Sequence, residues 1–156
     1  MGNSNTSYAS AIVPLIHVGG GIAVYFAVVK PLFEKLGLKD SKEDKETDKA
    51  AVTVAFNPKY WEDLLKKKTI DSSKLITTTK AKELAKIINS AIDEFPDNKS
   101  KIITAIKQIR TKAQLSQIVF QFNIAYKNDL FTALRSSFSD KEMVSLIKLI
   151  NSLPNY

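Results

Sequence analysis

The sequence predicts an all-α protein in three parts: a single transmembrane helix with its flanks over residues 1–38, a charged linker and short extended run over residues 39–56, and a compact helical bundle over residues 57–156. Three observations carry this. Residues 8–29, YASAIVPLIHVGGGIAVYFAVV, are 22 positions without Asp, Glu, Lys or Arg. Residues 39–50, KDSKEDKETDKA, alternate in charge and have almost no apolar content, too little to bury and fold alone. Beyond residue 57, residues that cap helices repeatedly precede apolar side chains at helical spacing.

The first element follows from length and solvent. At about 1.5 Å per residue, a helix of this stretch spans about 33 Å, enough for a hydrocarbon core of about 30 Å. Lipid offers backbone groups no water, so the stretch is stable there only as a helix that closes its own hydrogen bonds. Two other readings compete. A secretory signal has a basic start and a small-residue cleavage site, whereas MGNSNTS has no basic side chain and the stretch runs into Lys30-Pro31-Leu32-Phe33-Glu34. A helix buried in a soluble core is the other, and Pro14 with three glycines suits it.

Within the stretch, Gly19, Ala23 and Ala27 recur every fourth residue and share one helix face, the spacing that lets membrane helices approach closely. That face is the candidate surface for homo-oligomerisation through the span. Pro14 removes a backbone donor and predicts a bend. His17 sits where an imidazolium is costly, so it is expected to be neutral or to face protein. Lys30, Lys35 and Lys39 follow the stretch, while no cation precedes it. The positive-inside tendency then predicts a single-pass protein whose C-terminal domain is cytoplasmic at insertion. MGNSNT also fits the Met-Gly-x-x-x-Ser/Thr myristoylation pattern, although one acyl chain adds little to a spanning helix. Gly37 is the expected end of the first helix.

The linker leads into AAVTVAF, which reads as extended. Asn57-Pro58 then reads as an N-cap and first helical position, opening a helix through Tyr60, Trp61, Leu64 and Leu65, with Lys66, Lys67 and Lys68 complementing its C-terminal dipole. Leu84, Ile88, Ala91 and Phe95 form the stripe of the next helix, which Pro96 stops. Asp97 or Asn98 can cap a helix carrying Ile102, Ile103, Ile106 and Ile109. Thr111 to Gln114 reads as a capping box before Leu115, Ile118, Val119 and Phe122. Asn128 can cap a short helix with Leu130, Phe131, Leu134 and Phe138. Ser139 to Glu142 is a second capping box, before Met143, Val144, Ile147, Ile150 and Leu153. Four or five such helices joined by tight turns make a bundle whose stripes are core.

The succession RTKAQLSQIVFQFNIAY, then NDLFTALRSSFSDKEMVSLIKLI, with Asn128-Asp129-Leu130 and Leu134 matching a Tyr-x-x-Asp-Leu…Leu phrase, resembles an annexin repeat over about 60 residues. The resemblance implies a helix order. The family's Gly-x-Gly-Thr calcium loop has no counterpart, since Glu94-Phe95-Pro96-Asp97-Asn98 stands there without a glycine. Calcium binding is therefore not carried over. The layout of Lys30-Pro31-Leu32, a charged linker and Phe56-Asn57-Pro58-Lys59-Tyr60 resembles small membrane-anchored proteins of phages and prophages of Bacteroidota. That likeness implies a viral membrane protein.

Composition narrows the chemistry. The chain has 23 basic and 16 acidic side chains, net +7, and no cysteine, which excludes disulfides, thiolate metal sites and a Cys nucleophile. Residues 30–73 are nearly balanced at +1, and residues 74–156 carry +6. No glycine follows Gly37, which removes phosphate-cradling loops, and the one histidine, His17, lies in the predicted span. Asp140 and Glu142 are explained by helix capping. The sequence thus predicts a non-enzymatic protein with no catalytic residue, metal or cofactor.

The leading expectation is a membrane-anchored structural protein, a virion component of a membrane-containing bacteriophage, linking the lipid bilayer to capsid or other membrane subunits. The second is nucleic-acid binding through a basic surface made of Lys66, Lys67, Lys68, Lys99, Lys101, Arg110 and Lys112. A membrane-perforating, holin-like factor is a third.

Overall fold

The computed structural model describes Val52 and residues 54–156, together with the single helical residue Pro31. The predicted span, its Gly19, Ala23 and Ala27 face, Pro14, His17, the helix end at Gly37 and the charged linker lie outside the described residues. Among the described residues there are helices and no strands, and no helix is long and apolar enough to cross a membrane.

Six helices follow in order: α1 (Tyr60–Lys66), α2 (Thr78–Ile92), α3 (Lys99–Ile106), α4 (Lys112–Tyr126), α5 (Leu130–Ser137) and α6 (Asp140–Asn151), with a 3-10 turn at Ser72–Lys74 between α1 and α2. Most of their starts are set by side-chain oxygens that accept otherwise orphaned backbone N–H groups. Thr77 accepts from Lys80 N at 3.1 Å, Asn98 from Lys101 N at 3.1 Å and Thr111 from Gln114 N at 3.2 Å. Ser139 and Glu142 form the predicted capping box, with Ser139 N donating to Glu142 Oε2 at 2.8 Å and Glu142 N to Ser139 Oγ at 3.5 Å.

Three of the expected starts are built differently. α1 begins at Tyr60 with Lys59 as a cap that offers no side-chain acceptor, because Asn57 Oδ1 turns back to accept from Lys59 N at 2.9 Å. Asp129, not Asn128, caps α5, accepting from Thr132 N at 2.8 Å, while Asn128 Oδ1 accepts from Asp129 N. At α4, Gln114 does not complete a box with Thr111. Its Oε1 accepts from Arg110 N at 2.9 Å, one residue earlier.

Val52 and residues 54–56 are also not extended. Val52, Val54 and Ala55 are helical, and Phe56 N donates to Val52 O at 3.2 Å. The β-branched valines suggest a strand, but Val52, Ala55 and Phe56 stand at i, i+3 and i+4 and are buried together, so packing overrides local propensity. Phe56 meets Phe131 edge to face at 4.9 Å between ring centroids. The bundle's core therefore reaches back to Val52, before the expected boundary at residue 57.

α2 packs most extensively on α4 and α3, α1 lies along α4, and α5 touches both α2 and α4. The main core joins Leu84, Ile88, Ile102, Ile106, Ile118, Phe122, Leu134 and Ile147, among others. A smaller cluster of Leu64, Ile70 and Ala113 closes the α1 end, with Tyr60, Trp61, Leu65 and Leu75 packed against it. One predicted core residue is missing. α2 ends at Ile92, before the stripe reaches Phe95, and Phe95 stands fully in solvent at 102% relative exposure.

Candidate functional site

The chain has no glycine with which to end α1, and Lys68 takes the left-handed position instead, with φ of 55°. Lys68 N donates to Leu65 O and Thr69 N to Leu64 O, both at 2.9 Å, the paired bonds of a Schellman turn. The turn sends the chain into Ile70 and the 3-10 turn, where Asp71 Oδ1 accepts from Ser73 N at 2.7 Å. The Ser73 hydroxyl first, and this bond from Ser73 N second, hold the Asp71 carboxyl below the usual range. Between this loop and the C-terminal residue lies a cleft of about 600 Å³, lined by Leu65, Lys68, Thr69, Ile70, Asp71, Lys74 and Tyr156. Its walls combine an aliphatic floor, one aromatic ring, two ammonium groups and one carboxylate whose oxygen is already bonded. Nearby, burial first and the electrostatic influence of Tyr156 second push the Tyr60 phenol up.

The cleft's far side is fixed by polar groups on α4. Gln114 Nε2 donates to Lys74 O at 2.9 Å. Gln117 clamps one residue of chain from both sides, accepting from Ile76 N at 3.0 Å and donating to Ile76 O at 2.9 Å. Ser116 Oγ donates to Asn57 O and accepts from Trp61 N at 3.3 Å. Lys112 Nζ donates to the carbonyls of Asn151 and Leu153, while Lys112 N and Ala113 N donate to Pro154 O at 2.9 Å and Asn155 O at 3.0 Å. The C-terminal residues are thereby laid across the start of α4. The orphaned N–H groups of Lys112 and Ala113 thus meet carbonyls, that of Gln114 meets the Thr111 hydroxyl, and the Lys112 ammonium meets the carbonyl end of α6.

These bonds correct the predicted basic surface. Lys112 is only 6% exposed, and burial pushes its ammonium pKa down, so it is a structural cation and not part of a surface patch. Lys99 reaches Glu142 at 2.9 and 3.1 Å, and Lys101 reaches Glu94 at 2.7 Å. Lys66 lies 3.6 Å from Glu62 one turn earlier on α1. Of the seven, Lys67, Lys68 and Arg110 remain exposed with no ion pair among the described residues, and only Lys68 lines the cleft.

The cleft itself was hidden in the sequence, because its walls come from residues 65–74 and from Tyr156. The one local signal is Ile70, an apolar residue inside the polar run KKKTIDSSK. Glu94 is engaged by Lys101, and Asn98 by the start of α3. Among the described residues no three His, Cys, Asp or Glu side chains are grouped to hold a metal ion. Comparison of the chain with protein-family models, with curated proteins and with solved structures finds no match.

Proposed function

We infer that the chain is a non-enzymatic structural protein that holds a helical interaction domain at a membrane. The observation that carries this reading is the division of the chain. Residues 8–29 offer lipid an uncharged segment long enough to span it, and residues 54–156 form a bundle whose buried polar side chains are largely spent on its own backbone. The bundle then acts through its surface, by docking capsid or other membrane subunits. The layout's resemblance to phage proteins suggests the virion of a membrane-containing bacteriophage as the setting. The annexin likeness adds only an order of helices, without calcium.

The basic-surface reading has less to stand on, since Lys99, Lys101 and Lys112 are engaged within the bundle. The test is extraction. The full chain, expressed in bacteria, is expected to stay with the membranes through an alkaline carbonate wash and to leave them with lipid when detergent is added. Recovery in the aqueous fraction after the wash overturns the reading.

A further inference from the structure

Phe95 is the most exposed large apolar side chain among the described residues, at 102%, whereas Phe56, Phe122, Phe131 and Phe138 are all buried. It projects from Asp93-Glu94-Phe95-Pro96-Asp97, three acids in five residues with no cation among them. The base of this loop is fixed. Asn98 N donates to Ala91 O at 2.8 Å, and Asn98 caps α3, so the aromatic ring is presented on a pinned support. Asp93 receives the Asn89 amide and Glu94 the Lys101 ammonium, both at 2.7 Å, which leaves Asp97 as the acid of the three with no side-chain hydrogen bond among the described residues.

The cleft at the other side of α2 has the opposite character. Leu65, Ile70 and Tyr156 offer apolar and aromatic walls, and Lys68 and Lys74 stand in its lining against the single, already bonded Asp71. Lys74 precedes α2 and Phe95 follows it, so the 15 residues of the helix, about 22 Å at 1.5 Å each, separate the two features. A loop at one end of α2 cannot fill a cleft at the other end of the same helix, but it can fill that of a neighbour.

We propose that the chain associates head to tail with a second copy of itself, the Phe95 loop of one copy seating in the Lys68, Lys74 and Tyr156 cleft of the next. Phe95 meets the Tyr156 ring and the Leu65 and Ile70 side chains, and Asp97 beside it faces the two lysines. Because the two surfaces differ, each copy keeps one of each unused, and the contact propagates into a ring or a filament. Confinement of copies to one membrane would raise their effective concentration, although the contact itself does not rest on the membrane reading.

The absence of cysteine gives a direct test. Full-length chains carrying Ser100→Cys, beside the loop, and Thr69→Cys, in the cleft lining, are prepared separately in detergent, mixed and oxidised. The mixture is expected to yield disulfide-linked heterodimer at least tenfold above the homodimer formed by either variant alone. Adding Phe95→Ala to the Ser100→Cys chain is expected to lower that yield about tenfold with no change in melting temperature, because the exposed ring has no packing to lose. Equal yields of heterodimer and homodimers, as pairing through the Gly19, Ala23 and Ala27 face would give, overturn the proposal. So does a yield indifferent to Phe95→Ala.

Discussion

α6 and α4 both bury a run of branched apolar side chains, and they treat their polar residues in opposite ways. α6 turns Met143, Val144, Leu146, Ile147 and Ile150 inward and leaves Lys141, Ser145 and Lys148 in solvent. Every residue of α4 from Lys112 to Val119 is buried, so its first two turns have no solvent face. A one-sided helix needs only good ends. A helix enclosed on all sides must give every polar side chain a partner, and α4 does so by bonding backbone in the irregular segments around it. The loops of this protein are thus ordered from the centre outward, by Gln114, Ser116, Gln117 and Lys112.

The contrast predicts where substitution matters. Gln117→Ala strands both the N–H and the C=O of Ile76 and is expected to lower stability by about 3 kcal/mol in denaturant titration. Lys148→Ala on the outer face of α6 should stay within about 0.5 kcal/mol. Equal effects would break the comparison. Lys112→Ala is expected to cost about 2 kcal/mol, from the unpaired Asn151 and Leu153 carbonyls. Its signature is faster hydrogen exchange at Lys112 and Ala113, the amides covered by Pro154 and Asn155.

The peripheral ion pairs supply the next smaller effect. Glu142 is held down to about 2 by the Lys99 ammonium first and the Ser139 hydroxyl and N–H after it. A depressed carboxyl pKa means stability that is present above the unfolded value of 4.5 and lost as pH falls toward 2. The pair is more than a third exposed, and with solvent screening the contribution is about 1 kcal/mol. Glu142→Gln should therefore cost about that much at pH 7 and flatten stability against pH between 4.5 and 2. One change runs the other way. Lys68→Gly relieves a left-handed lysine and is expected to stabilise by about 0.5–1 kcal/mol, while weakening self-association if the cleft is the docking surface.

How legible this was depended on how local the cause was. The Ser139–Glu142 box and the stripes of α3, α5 and α6 are written within a few residues, and the helices follow them. Choices between neighbours were less legible, because Asn128 and Asp129 are both good caps and only the chain's path assigns the roles. Val52 and Val54 look like strand until the burial of Val52 with Ala55 and Phe56 is known. Phe95 fits the α2 stripe by spacing, yet the helix ends three residues before it. Lys112, Gln114 and Gln117 are residue types that normally face water, and nothing local says that acceptors from residues 74–76 and 151–155 will surround them.

The functional account turns on lipid contact being confined to one part of the chain. The full chain can be placed in vesicles containing a photoactivatable lipid, irradiated, and its labelled peptides mapped by mass spectrometry. The account predicts label within residues 8–29 and none in the buried helices of residues 54–156. Label spread through the bundle, or residues 8–29 left unlabelled in vesicle-bound protein, would contradict it.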